Sequence, residues 1–174
     1  MRHQILNENH IDFKKTIDLY KSSFPQNERF FVYQLKKMMK QKRIEILSLY
    51  EDNQYIGFCI ITVINKYCYL SYFAIVNEKQ NQGYGTKVLN YLRDTLNKYL
   101  ILEIEEIDPK YKNYEQRIKR YNFYLKNKLK KTGYKFRVNY LVTYDILCDT
   151  NISKEEAFLI LKTVYKNKAF IKIY

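Results

Sequence analysis

The order and spacing of three apolar runs constrain the fold of this chain more than any other feature of its sequence. The runs RIEILSLY, YIGFCIITVI and YCYLSYFAIV are rich in β-branched and aromatic residues, and only the polar segments EDNQ and NK separate them. Such residues favour strands. Connections this short join antiparallel neighbours, because a parallel crossover needs about a dozen residues or more. The sequence therefore predicts an antiparallel meander of three strands.

The pattern changes at two glycines, Gly83 and Gly85, which follow the third run. After them Val88, Leu92 and Leu96 recur at a spacing near 3.6 residues, which predicts an amphipathic helix. The next run, YLILEIEEI, has the alternation and the β-branched content of a strand. A strand, a helix and a second strand in this order form a right-handed crossover, so we expect the two strands to lie side by side and parallel.

Helical spacing also appears near both ends of the chain. It predicts a helix from Ile11 to about Ser22, and FPQNERFFVYQLKKMMKQ predicts a loop that leads into a second helix. A single last strand, VNYLVTYDIL, is followed by a helix from Ser153 with a Ser-x-x-Glu capping pattern. Between these parts NYEQRIKRYNFYLKNKL predicts a helix whose apolar stripe comprises Tyr114, Ile118, Tyr121, Leu125 and Leu129. The predicted fold is α/β, with a mixed sheet flanked by helices.

Length and composition favour one domain in a reducing compartment. No linker or internal repeat divides the 174 residues, so residues 1–174 are predicted to form a single domain. No apolar run approaches the ~20 residues of a membrane span, and the start MRHQILNENH lacks the apolar core of a signal peptide. We therefore expect a cytoplasmic protein without a membrane partner. Cys59, Cys68 and Cys148 lie in strand-like runs, as buried thiols do.

Histidine is scarce. His3 and His10 are the two histidines of the chain, and both lie near its start. The sequence therefore predicts neither a metal site nor a triad built on histidine.

Positive charge is concentrated in one segment. The net charge is +13, and eleven basic residues between Lys110 and Arg137 accompany a single acid, Glu115. A solvated cationic surface explains this segment as well as a field that attracts a polyanionic ligand does. Because aromatic residues alternate with the basic ones, binding of nucleic acid or the ribosome is a second class of function, although no recognised motif for it is present.

The turn QNQGYGT has the composition of an anion-binding helix start. A helix N-terminus carries about half a positive charge and several unpartnered N–H groups, which favour phosphate. Gly83 and Gly85 lack the Cβ atoms that would hold a phosphate away, while Gln80 and Thr86 offer polar side chains and Lys87 offers charge. The turn lacks the Gly-Lys-Ser/Thr end of a P-loop and the third glycine of a dinucleotide fingerprint. A tight strand-to-helix turn that needs glycine for its conformation alone is the alternative.

The stretch from Gln80 to Gly85 resembles the Gln/Arg-x-x-Gly-x-Gly/Ala signature of the GNAT superfamily, the acetyl-CoA-dependent N-acetyltransferases. Its setting in FAIVNEKQNQGYGTKVLNYL is similar as well, and the predicted order of elements follows that family over nearly the whole chain. The resemblance implies a GNAT-like sheet, an antiparallel meander plus a parallel pair formed by its fourth and fifth strands.

The resemblance also implies that acetyl-CoA is the cosubstrate. Backbone amides of residues 82–86 would hold its pyrophosphate, and its pantetheine arm would pair with residues 73–75, where the strand splays from the strand of residues 101–107. The implied coenzyme-binding residues are Phe73, Ala74, Ile75, Gln80, Asn81, Gln82, Gly83, Tyr84, Gly85 and Thr86.

In the family, a later helix carries an aromatic pair, which FYLKNKL supplies as Phe123 and Tyr124. The resemblance places this tyrosine beside the thioester sulfur, where a hydroxyl with an ordinary pKa near 10 would protonate the departing thiolate. With 19 tyrosines in the chain, a packing role is the alternative. The sequence departs from the family at Lys128, where glycine is usual. This departure predicts that the helix continues toward KKTG and ends at Gly133.

Two glutamates are candidates for the general base. Glu103 and Glu105 are two residues apart and therefore point to the same face of a strand. Either carboxylate could accept a proton from the amine, directly or through water. The alternative is an ion pair, because Arg117 and Arg120 share one helical face with Tyr124.

Glu28 and Arg29, in the FPQNER loop, are the candidates for acceptor binding, and an ordinary cap and a solvent charge are the alternative. The predicted reaction is transfer of an acetyl group from acetyl-CoA to a primary amine of a small molecule or peptide, by direct attack in a ternary complex. The alternatives are the basic nucleic-acid or ribosome-binding protein and a coenzyme A-binding member without transferase activity. We expect a monomer or a homodimer.

Overall fold

The structure is a computed structural model that describes residues 1–138, 142–165 and 172–173. Its elements in chain order are β1 (Arg2–Ile5), α1 (Phe13–Ser23), α2 (Val32–Lys40), β2 (Glu45–Glu51), β3 (Gln54–Ile64), β4 (Tyr67–Ile75), α3 (Tyr84–Leu96), β5 (Tyr99–Glu105), α4 (Tyr114–Lys126), β6 (Lys130–Val138), β7 (Val142–Cys148), α5 (Lys154–Tyr165) and β8 (Lys172–Ile173). Short 3-10 turns precede α2 and α3.

The sheet is mixed, as the sequence predicts. Its strands lie in the order β1-β2-β3-β4-β5-β7-β6-β8. Antiparallel pairing joins β1 to β2, β2 to β3, β5 to β7 and β6 to β7. β4 and β5 are parallel, with Tyr67 opposite Tyr99 and Tyr69 opposite Ile101. The meander and the parallel crossover are therefore confirmed.

The described chain forms two compact units, and the first comprises residues 1–63 and 70–97. Two helices, α1 and α2, bury their apolar faces against β2 and β3. The buried residues of this cluster include Ile17, Tyr20, Leu35, Met38, Ile46, Phe58 and Ile60. Ile11 is 91% exposed, so it lies outside the buried face of α1, which begins at Phe13 rather than at Ile11.

The second unit comprises residues 64–69 and the chain from Lys98 onward. Its core forms where α5 packs on the sheet, and it includes Tyr67, Tyr69, Ile101, Phe136, Ile146, Ala157, Ile160, Leu161 and Val164. The predicted capping box begins this helix: Glu156 N–H donates to Ser153 Oγ and Ser153 N–H to Glu156 Oε2, both at 3.1 Å. That residues 1–174 act as one domain stays a prediction.

The segment after α4 differs from the prediction of one last strand. VNYLVTYDIL divides between two antiparallel strands, since β6 ends at Val138 and β7 begins at Val142. Residues 139–141 lie outside the described part. Cross-strand contacts stabilise this pair: Lys131 Nζ lies 2.8 Å from Asp145 Oδ2, and the ring of Phe136 stacks on Tyr144.

The prediction that α4 runs on to Gly133 is wrong. The helix ends at Lys126, and Lys128 adopts the left-handed conformation with a φ of 69°. Lys128 N–H donates to the Leu125 carbonyl and Leu129 N–H to the Tyr124 carbonyl, each at 3.2 Å. These two bonds form a Schellman motif, in which glycine usually occupies the position of Lys128. The lysine therefore takes a backbone conformation that favours glycine, at a cost of roughly 1 kcal/mol.

The predicted apolar stripe of α4 is confirmed only in part, since Leu129 is buried and Tyr114, Ile118 and Tyr121 are half-buried, but Leu125 is not. Arg117 is the buried residue of this helix, whereas Leu125 is 40% exposed. The reason is electrostatic: Glu105 lies buried at the end of β5, and α4 turns its arginines toward that carboxylate.

Candidate active site

Gly83 is the N-cap of α3 and has a φ of 79°, in the left-handed region. A Cβ added there would meet no atom within 4 Å. Glycine is therefore required at this position by the backbone conformation and not by crowding. The absent side chain leaves open space beside the start of the helix.

The first turn of α3 presents backbone donors. The first hydrogen bond of the helix runs from Lys87 N–H to the Gly83 carbonyl at 3.1 Å. The N–H groups of Tyr84, Gly85 and Thr86 come before it, and α-helix geometry gives such groups no acceptor within the helix. Together with the positive end of the helix dipole, they form an arrangement that favours a phosphate group.

The glutamine side chains of the turn hold its shape. Gln80 Nε2 donates to the Ile75 carbonyl at 3.0 Å, which ties the turn to the end of β4. Gln82 Nε2 donates to the Glu78 carbonyl at 2.7 Å. Lys87 Nζ lies 3.1 Å from Glu51 Oε1, so its charge is compensated by a partner that the local sequence does not reveal.

The end of β4 is held by a close approach of β3. A Cβ on Gly57 would lie 2.2 Å from the carbonyl oxygen of Ala74, so only glycine fits opposite this residue. Val76 N–H donates to the Ile56 carbonyl at 3.0 Å. These contacts fix the backbone of residues 73–75, the segment that the resemblance assigns to the pantetheine arm.

Tyr124 lies in the last turn of α4, where its ring contacts that of Phe123 with centroids 5.2 Å apart. Burial raises the pKa of its hydroxyl, and the nearby charge of Arg120 opposes this shift. Within the described residues the hydroxyl has no hydrogen-bond partner. The group is therefore protonated at neutral pH and available as a donor.

Glu105 forms the ion pair that the sequence analysis gave as the alternative to a general base. Arg117 Nη2 lies 3.0 Å from its Oε1, and Arg120 Nη1 lies 2.8 Å from its Oε2. The residue is 6% exposed. Two guanidinium groups thus occupy both oxygens of this carboxylate, which makes Glu105 a weak candidate for proton transfer.

Glu103 has a different environment. Its Oε1 accepts a hydrogen bond from the Tyr165 hydroxyl, while its Oε2 is buried and has no hydrogen-bond partner in the described chain. Burial raises the pKa of this carboxyl from 4.5 to about 7, and the bond from Tyr165 opposes the shift. A carboxylate with one free oxygen and a pKa near neutrality has the properties of a general base.

The FPQNER loop is anchored through its backbone. Tyr72 on β4 donates its hydroxyl to the Glu28 carbonyl at 3.0 Å, and its ring packs against Tyr20 and Phe24. Arg29 Nη1 donates to the Lys21 carbonyl at 2.9 Å, near the end of α1. Sequence reasoning missed Tyr72 and Tyr165, because no motif distinguishes them among 19 tyrosines.

Acidic neighbours compensate much of the basic segment. Lys110 pairs with Asp108, Lys131 with Asp145, and Lys135 with Glu106. Arg117 and Arg120 are paired as well. Among the described residues, five of these eleven cations have an acidic partner, which gives this part of the charge a structural role.

The described residues contain no helix long and apolar enough to cross a membrane. They also contain no group of three or more His, Cys, Asp or Glu side chains placed to hold a metal ion.

Comparison with known proteins agrees with the fold. Residues 13–114 match the model of the acetyltransferase (GNAT) family. No sequence match was found among curated proteins. A Bacteroides thetaiotaomicron protein assigned to the GNAT family of acetyltransferases superimposes with a TM-score of 0.77 at 19% identity, covering 99% of this chain and 100% of its own.

Two other similar structures come from enzymes with described acceptors. An aminoglycoside 6'-N-acetyltransferase in complex with coenzyme A has a TM-score of 0.61 at 16% identity, covering 88% of this chain and 99% of its own. The ribosomal-protein-S18-alanine N-acetyltransferase from Escherichia coli has a TM-score of 0.57 at 18% identity, covering 88% of this chain and 97% of its own.

The glycine turn, the parallel strand pair and the match over more than half of the chain agree with one another. The chain belongs to the GNAT family of acetyltransferases.

Proposed function

We propose that this protein transfers the acetyl group of acetyl-CoA to a primary amine by direct attack in a ternary complex. The observation that carries the proposal is the geometry at the start of α3. Gly83 has a left-handed backbone conformation and leaves open space beside backbone N–H groups that have no acceptor within the helix. This arrangement fits a pyrophosphate. Membership of the GNAT family supports the choice of acetyl-CoA.

In this proposal, residues 82–86 bind the pyrophosphate through their backbone. Phe73, Ala74 and Ile75 offer backbone groups to the pantetheine arm, and their position is held by Gly57. Gln80 contributes indirectly, because its side chain holds the turn against the end of β4.

The proposed proton transfers follow from the two environments described above. Oε2 of Glu103 accepts a proton from the amine nitrogen, which forms a bond to the acetyl carbonyl carbon. The C–S bond of the thioester then breaks, and the Tyr124 hydroxyl donates a proton to the departing thiolate. Glu105, which was an equal candidate from sequence, is proposed instead to hold α4 through its two arginines.

The proposed acceptors are small molecules or peptides with a primary amine. Two structurally similar enzymes are named for an aminoglycoside and for the alanine of a ribosomal protein, so these classes come first. Glu28 and Arg29 are the proposed acceptor contacts. We also propose that the protein acts in the cytoplasm as a monomer or homodimer, in keeping with its three buried, unbridged cysteines.

The test is a calorimetric titration with acetyl-CoA of the wild type and of two variants, Gly83→Asp and Gly83→Asn. Asp and Asn have nearly the same size and both tolerate the left-handed region, so they differ mainly in charge. We expect saturable binding by the wild type and at least about tenfold weaker binding by Gly83→Asp than by Gly83→Asn, because the carboxylate repels the pyrophosphate. Circular dichroism checks the folding of both variants.

A folded wild type that does not bind acetyl-CoA would overturn the proposal. Equal acetyl-CoA affinities of the two variants would show that the pyrophosphate does not bind at the start of α3. If binding is found, mass spectrometry of aminoglycosides and alanine-starting peptides incubated with acetyl-CoA identifies acetylated products. Binding without any acetylated amine would favour a coenzyme A-binding protein that lacks transferase activity.

A further inference from the structure

Tyr165, the last residue of α5, lies 62 positions beyond Glu103 and donates its hydroxyl to Oε1 of that glutamate. It lies outside residues 13–114, the part of the chain that matches the family model. The C-terminal helix therefore supplies a polar contact to β5 that the family match does not include.

The hydrogen bond makes the two oxygens of Glu103 unequal. Oε1 is occupied by Tyr165, whereas Oε2 is shielded from solvent and lacks a partner among residues 1–138, 142–165 and 172–173. A buried oxygen without a hydrogen-bond partner is costly, so its presence calls for an explanation, such as a catalytic role. The contact thus selects which oxygen is left for a ligand.

The position of Tyr165 is fixed by packing. Its ring contacts that of Phe136 on β6, with centroids 5.8 Å apart. The preceding turns of α5 bury Ile160, Leu161 and Val164 in the core of the second unit. The hydroxyl is therefore presented to Glu103 by a helix held along its length, which limits rotation of the carboxylate.

We propose that Tyr165 is a positioning residue of the acetyl transfer, whose hydroxyl holds Oε1 of Glu103 so that Oε2 faces the amine as proton acceptor. The inference rests on the proposed function, in which Glu103 is the general base. In the step itself an N–H bond of the amine breaks and an O–H bond forms at Oε2, while the Tyr165 proton stays on its own oxygen.

Within the described part of the chain, burial and the Tyr165 hydroxyl shift the pKa of Glu103, and no charged side chain contributes to the shift. The cluster around α5 has hydroxyl and thiol groups on Tyr67, Tyr69, Tyr134, Tyr144 and Cys148. Burial raises the pKa of the Cys148 thiol to about 11. On β5 the charge of Glu105 is compensated by Arg117 and Arg120. Tyr165 is therefore the group whose removal changes the titration of Glu103 most directly.

The test compares the wild type with Tyr165→Phe and with Tyr134→Phe, a control that removes a hydroxyl elsewhere in the same cluster. The first measurement is an NMR titration of the Glu103 carboxyl carbon in the protein without ligands, assigned with Glu103→Gln. We expect the Glu103 proton dissociation constant to fall about tenfold in Tyr165→Phe, because the lost hydrogen bond favoured the ionised form. It should not change in Tyr134→Phe.

The second measurement is the pH dependence of kcat/KM with an aminoglycoside or an alanine-starting peptide as acceptor. In Tyr165→Phe we expect the acidic limb of this profile to move to higher pH by the same amount as the pKa of Glu103 in the NMR titration. The affinity for acetyl-CoA should not change. An unaltered NMR titration would overturn the positioning role, whatever the activity. If the NMR pKa of Glu103 shifts but the acidic limb of kcat/KM does not, the positioning role is overturned as well, because Glu103 is then not the general base. Failure of the proposed function shows separately, as absent acetyl-CoA binding by the wild type.

Discussion

Arg117 and Glu105 form an ion pair that is almost closed to solvent, with 3.0 Å between Nη2 and Oε1 and side-chain exposures of 8% and 7%. Arg117 also donates to the Glu106 carbonyl at 2.7 Å and to Asn113 Oδ1 at 2.9 Å. A buried cation with this many partners joins α4 to the end of β5 by charge rather than by apolar packing.

Replacement of Arg117 by Met should lower the free energy of unfolding by about 3–5 kcal/mol, because it removes one partner of a buried pair. Arg120→Met is the matched control: its side chain is 36% exposed, so we expect a loss of about 1 kcal/mol or less. Urea denaturation of both variants at pH 7 measures the difference. Equal losses of unfolding free energy in the two variants would show that burial of the Arg117–Glu105 pair does not increase its contribution to stability.

Replacement of Tyr124 by Phe should lower kcat about 10- to 1000-fold and leave acetyl-CoA affinity nearly unchanged, because the variant lacks only the proposed proton donor. Tyr121→Phe, one turn earlier in α4, is the control and should keep its activity. Steady-state kinetics and calorimetry supply both values. Unchanged turnover in Tyr124→Phe would remove this residue from the mechanism.

Glu103 should make the protein less stable as pH rises. Its pKa is raised from 4.5 to about 7 in the folded state, so the folded protein binds more protons than the unfolded chain between these values. The free energy of unfolding therefore falls across this range, by up to about 3 kcal/mol from this group. Glu103→Gln cannot ionise, so it should be more stable than the wild type at pH 8 and similar at pH 4.5.

Urea denaturation at the two pH values checks this prediction, with Glu115→Gln, an exposed position on α4, as the control for loss of a charge. A stability difference between Glu103→Gln and the wild type that does not depend on pH would contradict it.

Gly57→Ala should destabilise the protein by about 1–3 kcal/mol and weaken acetyl-CoA binding, because its methyl group would push on the Ala74 carbonyl. Gly133→Ala is the control, since a Cβ at Gly133 meets nothing within 4 Å. Its left-handed φ of 86° should cost roughly 1 kcal/mol without any change in binding. Thermal unfolding and calorimetry separate the two effects. Unweakened binding by Gly57→Ala would argue against a role for residues 73–75.

Local signals in the sequence were enough for most of the sheet. Run lengths and connections of a few residues predicted the antiparallel meander, and the change of period after Gly83 and Gly85 predicted the crossover helix. The capping box at Ser153 could also be predicted from the sequence, because both of its hydrogen bonds join residues three positions apart. Features of this kind depend on neighbours in the chain, so a sequence contains the information for them.

The end of α4 and the roles of the two glutamates depended on the tertiary structure. The left-handed conformation of Lys128 does not follow from the residue type, because lysine does not favour it and the chain reversal after α4 imposes it. Glu103 and Glu105 have the same local pattern and were equal candidates for the base. Their difference comes from residues distant in the chain: Arg117 and Arg120 occupy both oxygens of Glu105, whereas Tyr165 occupies one oxygen of Glu103. Spacing along a strand selects the face of a side chain, but only packing selects its partners.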